Sequence, residues 1–235
     1  MPVFESTLDS SSEAFRAQRA GMLALIDEMR ALHQRTVAAS ARAAPLFERR
    51  KQLLPRERLA RLLDPGAPFL ELMAMAGYCG IEDPDPATSV PGSAIIAGIG
   101  FVSGARVMVV VNDAGIGAGA MQNLTGRKIM HCQEIALANK LPFIQLVESA
   151  GGNLRSYRVD RFIAGGGMFR NLARLSAAGL PVLAVVHGSS TAGGAYLPGL
   201  SDHVVMVRGR ARAFLAGPPL LKAATGEIAT EEELG

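Results

Sequence analysis

The chain is predicted to form an α/β body built from repeated strand–turn–helix units, with a helical arm in front of it. Three observations predict this. Leu180 to Asp202 begins with an apolar, β-branched run at Val182 to Val186, passes through small and hydroxyl residues to Gly193-Gly194, and turns apolar again at Ala195, the pattern of a buried strand, a tight turn and a helix start. Leu141 to Gly152 follows the same plan: Leu-Pro, a buried run, a serine and then Ala-Gly-Gly. Two such units with right-handed crossovers place their turns on one edge of a sheet. Third, Phe15, Met22, Leu25, Ile26, Met29 and Leu32 recur at helical spacing, which predicts one long amphipathic helix from about Ser12 to near Ala44.

Taken in order, Ser10-x-x-Glu13 reads as a capping box for that helix, and such an arm serves as packing or as a subunit contact. The basic cluster Arg49-Arg50-Lys51 follows it, and reads equally as a solvated helix end or as a phosphate holder. Pro55 opens a short helix through Leu63, and Asp64-Pro65-Gly66 stops it. Gly80 to Gly92, rich in Pro, Asp and Gly, reads as a mobile loop. Ala94 to Val102 and Arg106 to Val111 read as strands of a hairpin joined by Ser103-Gly104-Ala105. A glycine loop from Asn112 to Ala120 then leads to a helix from about Thr125 to Asn139. Gly165-Gly166-Gly167 is expected to precede a helix ending at Ala178. Strands are expected at Val204 to Val207 and Ala213 to Ala216, with an Arg-Gly-Arg turn between them. Gly217-Pro218-Pro219 starts a helix that Gly226 ends, and Thr230-x-x-Glu233 forms another capping box.

The bulk properties narrow the function classes. At 235 residues and 49% hydrophobic content, the chain can bury a substantial core. A net charge of +3, with arginines scattered apart from the one cluster, leaves no nucleic-acid footprint and favours a small anionic ligand. Cys79 and Cys132 have neither disulfide-framework nor zinc spacing, so no metal is expected and a reducing, cytoplasmic setting is. The N-terminus carries Glu5 and Asp9 and lacks a basic-then-apolar signal; no apolar run approaches the roughly 18 residues of a membrane span.

The glycine turns carry the chemical expectation. Gly193 and Gly194 lack a Cβ, so the backbone there can take φ > 0 and a ligand can approach it closely. Amides at such a turn suit an anion or a developing oxyanion. Two competing readings meet obstacles. Gly115-x-Gly117-x-x-Ala120 resembles a dinucleotide fingerprint, but the helix begins too late and no acidic residue closes a strand about 20 residues on. Gly188-Ser189-Ser190-Thr191-Ala192 approximates a nucleophile elbow at Ser190, but the only later histidine is His203, directly after Asp202, out of order for a triad. His187 shows no partner in the sequence and reads as a packed histidine.

Several motifs in order resemble the carboxyltransferase β subunit of biotin-dependent acyl-CoA carboxylases. They are Leu53-Leu54-Pro55-Arg56-Glu57-Arg58-Leu59, Leu62-Leu63-Asp64-Pro65-Gly66, Gln133-Glu134-Ile135-Ala136, Ser149-Ala150-Gly151-Gly152-Asn153-Leu154, Gly188 to Tyr196, and Phe214-Leu215-Ala216-Gly217-Pro218-Pro219-Leu220. Thr191-Ala192-Gly193-Gly194-Ala195-Tyr196 is closer to the methylcrotonyl-CoA and geranyl-CoA branch than to the propionyl-CoA branch.

The resemblance implies a crotonase-like fold of stacked ββα units at residues 49–235, behind an arm at 1–48. It implies transfer of a carboxyl group from carboxybiotin, carried by a partner biotin carboxylase or carrier subunit, to the enolate of an acyl-CoA, with no side chain established as base. It places the backbone amides of Ala150, Gly151 and Gly152 at the thioester oxyanion hole, although the alanine here precedes the glycines where Ser-Gly-Gly-Ala is usual. Thr191, Ala192, Gly193, Gly194, Ala195 and Tyr196 would line the acyl-CoA pocket. It also implies a homo-oligomer, and a chain that corresponds to an N-terminal half: one expected to bind CoA thioesters but not to carboxylate them alone. A crotonase-fold enoyl-CoA hydratase, a serine hydrolase and an NAD-binding oxidoreductase are the alternatives.

Overall fold

The computed structural model describes residues 6–81, 83–152 and 158–235; Glu5, Asn153 and Leu154 fall outside them. The arm is helix α1, Glu13–Ala41. Its cap is Ser12, whose Oγ accepts from the Phe15 N–H at 3.2 Å, in place of the expected Ser10 box. Met22, Leu25 and Met29 stay more than half exposed along its middle. Only its end docks: Thr36 Oγ1 accepts from the Gly92 N–H at 2.9 Å, and the Ser40 hydroxyl donates to Asp113 at 2.8 Å. The chain continues through α2, Ala44–Arg49, and α3, Pro55–Leu62. The Asp64 carboxylate that ends α3 also accepts from the Ser103 and Gly104 N–H groups at 2.7 Å each, tying α3 to the hairpin turn.

The body is one sheet of seven strands: β1, Leu70–Glu71; β2, Ile95–Val102; β3, Ala105–Asn112; β4, Phe143–Ser149; β5, Val182–Thr191; β6, His203–Met206; and β7, Arg212–Phe214. The first six stand in sequence order, and β7 joins the upper end of β5. β1, β2 and β3 are antiparallel, whereas β3 to β6 run parallel, so their C-terminal ends share an edge. The hairpin turn has two residues, not three: Ser103 (φ 51°) and Gly104 (φ 77°) both lie in the left-handed region, as a type I′ turn requires.

Helices α4, Asn123–Ala138, and α5, Val159–Ala177, cover one face, where Met108, Phe143, Val147 and Val186 pack with Ile129, Leu172 and Leu175. On the other face Val109, Ile144 and Leu146 pack with Leu59 of α3. All seven residues of β4 are buried, Gln145, Glu148 and Ser149 among them, as in a strand covered on both faces. Three expectations are corrected. Gly165, Gly166 and Gly167 lie inside α5 rather than before it, and a Cβ on Gly167 would stand 3.0 Å from Met130 Sδ, so close α4–α5 packing asks for one of the three. The polar stretch from His187 to Thr191 is strand rather than turn, because β7 supplies its hydrogen-bonding partner. Strand β7 ends at Phe214, short of Ala216. The Gly80 to Gly92 loop is pinned: Cys79 N–H donates to Ser89 Oγ at 2.9 Å, Val90 N–H to Asp83 Oδ2 at 2.8 Å and Arg35 to Pro86 C=O at 2.6 Å. Beyond β5 come α6, Tyr196–Gly199, α7, Pro218–Thr225, and α8, Glu231–Leu234.

Candidate functional site

Three turns meet at the C-terminal ends of β3, β4 and β5. After β3, Gly117, Ala118 and Gly119 form a single 3-10 turn with φ of 54°, 54° and 67°. After β4 comes Ser149-Ala150-Gly151-Gly152, and after β5 the 3-10 turn Ala192–Gly194. The first two turns are stitched to one another by hydrogen bonds, most of them between backbone groups. Ser149 donates its hydroxyl to Gly119 C=O at 2.9 Å, Ala150 N–H donates to Ala118 C=O at 3.2 Å, and Met121 N–H donates to Gly151 C=O at 2.7 Å. This closeness needs residues without side chains. A Cβ on Gly119 would meet Glu148 C=O head on, one on Gly151 (φ +81°) would stand 2.8 Å from Thr191 C=O, and one on Gly194 3.1 Å from Ser149 Cβ. Steric exclusion of Cβ therefore sets the shape of this edge.

The expected conformation of the last turn is corrected. The left-handed residue there is Ala192 (φ 51°), whereas Gly193 and Gly194 keep negative φ and serve by close approach, a Cβ on Gly193 reaching 3.3 Å from Met121 Cε. The amides of Ala150 and Gly151 both have internal acceptors at 3.2 Å, Ala118 C=O and Ser149 Oγ. Tyr196, half exposed, stacks near Phe169 of α5 with ring centroids 5.3 Å apart.

Behind the turns lies a cluster that the sequence did not reveal. Arg58 of α3 donates to Glu148 Oε2 at 3.0 Å, and His187 Nδ1 lies 3.2 Å from the same oxygen. Arg58 Nη1 also lies 2.7 Å from His187 Nδ1 and 3.1 Å from Nε2. The three side chains are about nine-tenths buried or more. Glu148 occupies the space a side chain at Gly188 would need, where a Cβ would come within 2.5 Å of its carboxyl carbon. An irregularity in β5 makes the room: between two paired positions β4 advances from Val147 to Ser149 while β5 advances from Val186 to Ser190.

Burial pushes the Glu148 pKa up, but the hydrogen bond from His187 and the charge of Arg58 outweigh it, and the carboxyl ends below its usual range. Burial lowers the His187 pKa, with the Glu148 hydrogen bond opposing. Burial likewise lowers that of Arg58, with the Glu148 charge opposing. His187 is thus neutral beside an ion pair. Its partners lie 39 and 129 positions away in the chain (187 − 148; 187 − 58), out of reach of any local pattern.

The competing chemistries lose their geometry. Ser190 is fully buried and commits its hydroxyl proton to Gly194 C=O at 2.8 Å, whereas His187 contacts Glu148 and Arg58; among the described residues, no base is hydrogen-bonded to Ser190. The Gly115-x-Gly117-x-x-Ala120 loop is folded against the end of β4, and α4 starts only at Asn123, so the glycines shape the turn rather than a pyrophosphate seat. Among the described residues, no group of three His, Cys, Asp or Glu is placed to hold a metal, and no helix is long and apolar enough to cross a membrane.

Fold and site together define an α/β protein whose candidate chemistry sits in backbone turns at the edge of a parallel sheet, not in a side-chain triad. The chain belongs to the carboxyl transferase family: residues 48–235 match the family model described as a carboxyl transferase domain. It is 44% identical over 234 residues to the probable biotin-dependent acyl-coenzyme A carboxylase beta2 subunit of Mycobacterium tuberculosis, covering 99% of this chain and 43% of that one. It is 41% identical over 234 residues to the mitochondrial methylcrotonoyl-CoA carboxylase beta chain of Arabidopsis thaliana, covering 97% and 38%. The crystal structure of the P. aeruginosa geranyl-CoA carboxylase beta subunit superposes with a TM-score of 0.88 at 50% identity, over 100% of this chain and 43% of that one. The crystal structure of transcarboxylase 12S, titled as a hexamer assembly with methylmalonyl-coenzyme A bound, gives 0.80 at 27%, over 91% and 41%. The fold is the crotonase-like one these carboxyltransferases share, and the chain spans about two fifths of the length of such relatives.

Proposed function

We propose that this chain forms the acyl-CoA side of a biotin-dependent acyl-CoA carboxylase, holding the thioester while a carboxyl group is transferred to it. The observation that carries the reading is the convergence of three glycine turns on one sheet edge, with no side-chain base among them. The amides of Ala150 and Gly151, with Gly152 beside them, hold the thioester oxygen. Their internal acceptors are neutral and stand at 3.2 Å, the long end of the N–H···O range. An oxygen gaining negative charge as the enolate forms accepts about twice as strongly as a neutral one, so it displaces them most effectively in the transition state. Ser149 keeps the turn in place throughout, because its hydroxyl proton is committed to Gly119 C=O. Thr191 to Tyr196 line the acyl pocket.

Carboxybiotin, delivered by a partner biotin carboxylase or carrier subunit, supplies the carboxyl group. We further propose that the chain works as a homo-oligomer, supported by the hexamer named for transcarboxylase 12S, and in a reducing, cytoplasmic setting, supported by two free cysteines.

The test is a titration of the purified chain with an acyl-CoA thioester, with free CoA and NADH alongside. Saturable thioester binding without NADH binding is expected. Binding of NADH in place of the thioester would overturn the reading.

A further inference from the structure

The basic cluster at the end of α2 has a second half that the fold brings to it. Arg210 donates from Nη1 to Lys51 C=O at 2.5 Å, joining the turn after β6 to a segment 159 positions away. Lys51 itself adopts a left-handed φ of 52° at this junction. Gln52 holds the same segment to β5 through a 3.2 Å bond to His187 C=O. Arg49, Arg50, Lys51, Arg208 and Arg210 are all exposed. Among the described residues, none of the five has a carboxylate within 4.0 Å. They account for +5 in a chain of net +3, so the rest sums to −2 (3 − 5). The two basic segments thus form one exposed cationic patch.

That place is tied to the proposed thioester site. The Arg208–Arg210 turn follows β6, whose last paired residue, Met206, lies opposite Val186. Strand β7 then runs beside Ser189 to Thr191, the residues that lead into the Ala192–Gly194 turn. Arg210 and the partner of Thr191, Phe214, are four residues apart, about 13 Å along an extended chain. The patch thus stands on the same C-terminal edge of the parallel strands as the glycine turns, where ligands of such sheets bind.

We propose that Arg49, Arg50, Lys51, Arg208 and Arg210 form a phosphate-binding surface for the nucleotide end of the CoA thioester. This rests on the acyl-CoA reading above. The pantetheine arm would span from the glycine turns to the patch, and guanidinium groups suit phosphate oxygens by their paired donors. Because the cations are solvated, the attraction is screened by salt. The patch should therefore contribute affinity while the glycine turns position the thioester.

The experiment compares two ligands on the intact chain: an acyl-CoA thioester, and the same acyl group on pantetheine, which lacks the nucleotide phosphates. The variant R49Q/R50Q/R208Q removes three exposed charges and spares Arg210, whose bond to Lys51 is structural. Exposed ion pairs are individually weak, so loss of three together should weaken the CoA thioester about tenfold. It should leave the pantetheine thioester unchanged, and raised salt should weaken the CoA thioester in the wild type and much less in the variant. Equal loss for both ligands, or no loss for either, would overturn the phosphate assignment while leaving the acyl-CoA reading standing. A wild-type chain that binds neither ligand would overturn both.

Discussion

Glu148 and Ser149 are neighbours at the end of β4, and they face opposite sides of the sheet into regions built on different principles. Toward α3, Glu148 joins a buried cluster held by side-chain contacts to Arg58 and His187, and it fills the space over Gly188. Toward α4 and α5, Ser149 joins a knot of glycine turns in which backbone groups make most of the contacts. The comparison teaches how a site made of amides is held still. Backbone donors cannot be aimed by rotamers, so the strand end that carries them is fixed from behind by charges that must stay paired. The difference also sets how each side fails: the cluster by losing a partner, the turns by gaining a side chain.

The largest effect is expected on the cluster side. Glu148→Ala leaves Arg58 buried without its carboxylate, and removing one member of a buried pair costs about 3–5 kcal/mol. Chemical denaturation should show this, and a loss below 1 kcal/mol would mean that Arg58 finds water. On the turn side, Gly151→Val puts a β-branched residue at φ +81° with its Cβ 2.8 Å from Thr191 C=O. Strain and clash together should amount to at least a few kcal/mol, read as loss of thioester binding. Retained binding would show that the turn yields and that its amides are not the positioned donors.

The pH dependence sharpens the contrast, because only the cluster titrates. His187 has a folded pKa below its ordinary 6.5, so the unfolded chain takes up a proton first as the pH falls. Stability is thus full above 6.5 and declines as the pH falls from there to the folded value. Glu148, also lowered, adds loss in the same direction further down, below 4.5. Denaturation midpoints at pH 7, 6 and 5 should fall in that order, and H187Q should flatten the step nearest 6.5. An unchanged step in that variant would assign it to another group.

A second His–Arg–Glu group offers a milder comparison. Arg56 grips Glu71 with two bonds of 2.9 Å, and His33 of α1 lies 3.4 Å from the same carboxylate, but Arg56 and His33 are 29% exposed and Glu71 17%. Arg56→Ala should cost about 1 kcal/mol, nearer the surface value than the buried one, and a loss as large as that of Glu148→Ala would show that the arm docking depends on it. The smallest effect is expected from Ser190→Ala, which removes one buried hydrogen bond to Gly194 C=O at about 1 kcal/mol. It should leave thioester binding intact; appearance of the hydrolase reading would require an esterase activity that this variant abolishes.

The strands were legible in the sequence because β4 and the lower half of β5 are covered on both faces, so apolar residues predominate on both sides of each: Phe143, Ile144, Leu146 and Val147 in β4, and Val182 to Val186 in β5. The glycine turns were legible too, since Ala-Gly-Gly after a buried strand is a local pattern repeated twice. What stayed hidden depends on contacts made far along the chain. The upper half of β5 is polar and becomes strand only because β7 pairs with it. Gly165 to Gly167 read as a helix breaker, yet all three lie inside α5, with Gly167 packed against Met130 of α4. His187 looked partnerless because its carboxylate and guanidinium come from β4 and α3.

By itself, then, the sequence determined the order of elements, the two amide-bearing turns and the family to which their motifs point, because each of these is written in neighbouring residues. Only the tertiary structure decided which faces the turns share, which charges stand behind them, and that two basic segments 159 positions apart meet at Arg210 and Lys51. Periodicity and turn chemistry act over a few residues, whereas the pairing of buried charges and the gathering of exposed ones are set by where the sheet brings distant strands together.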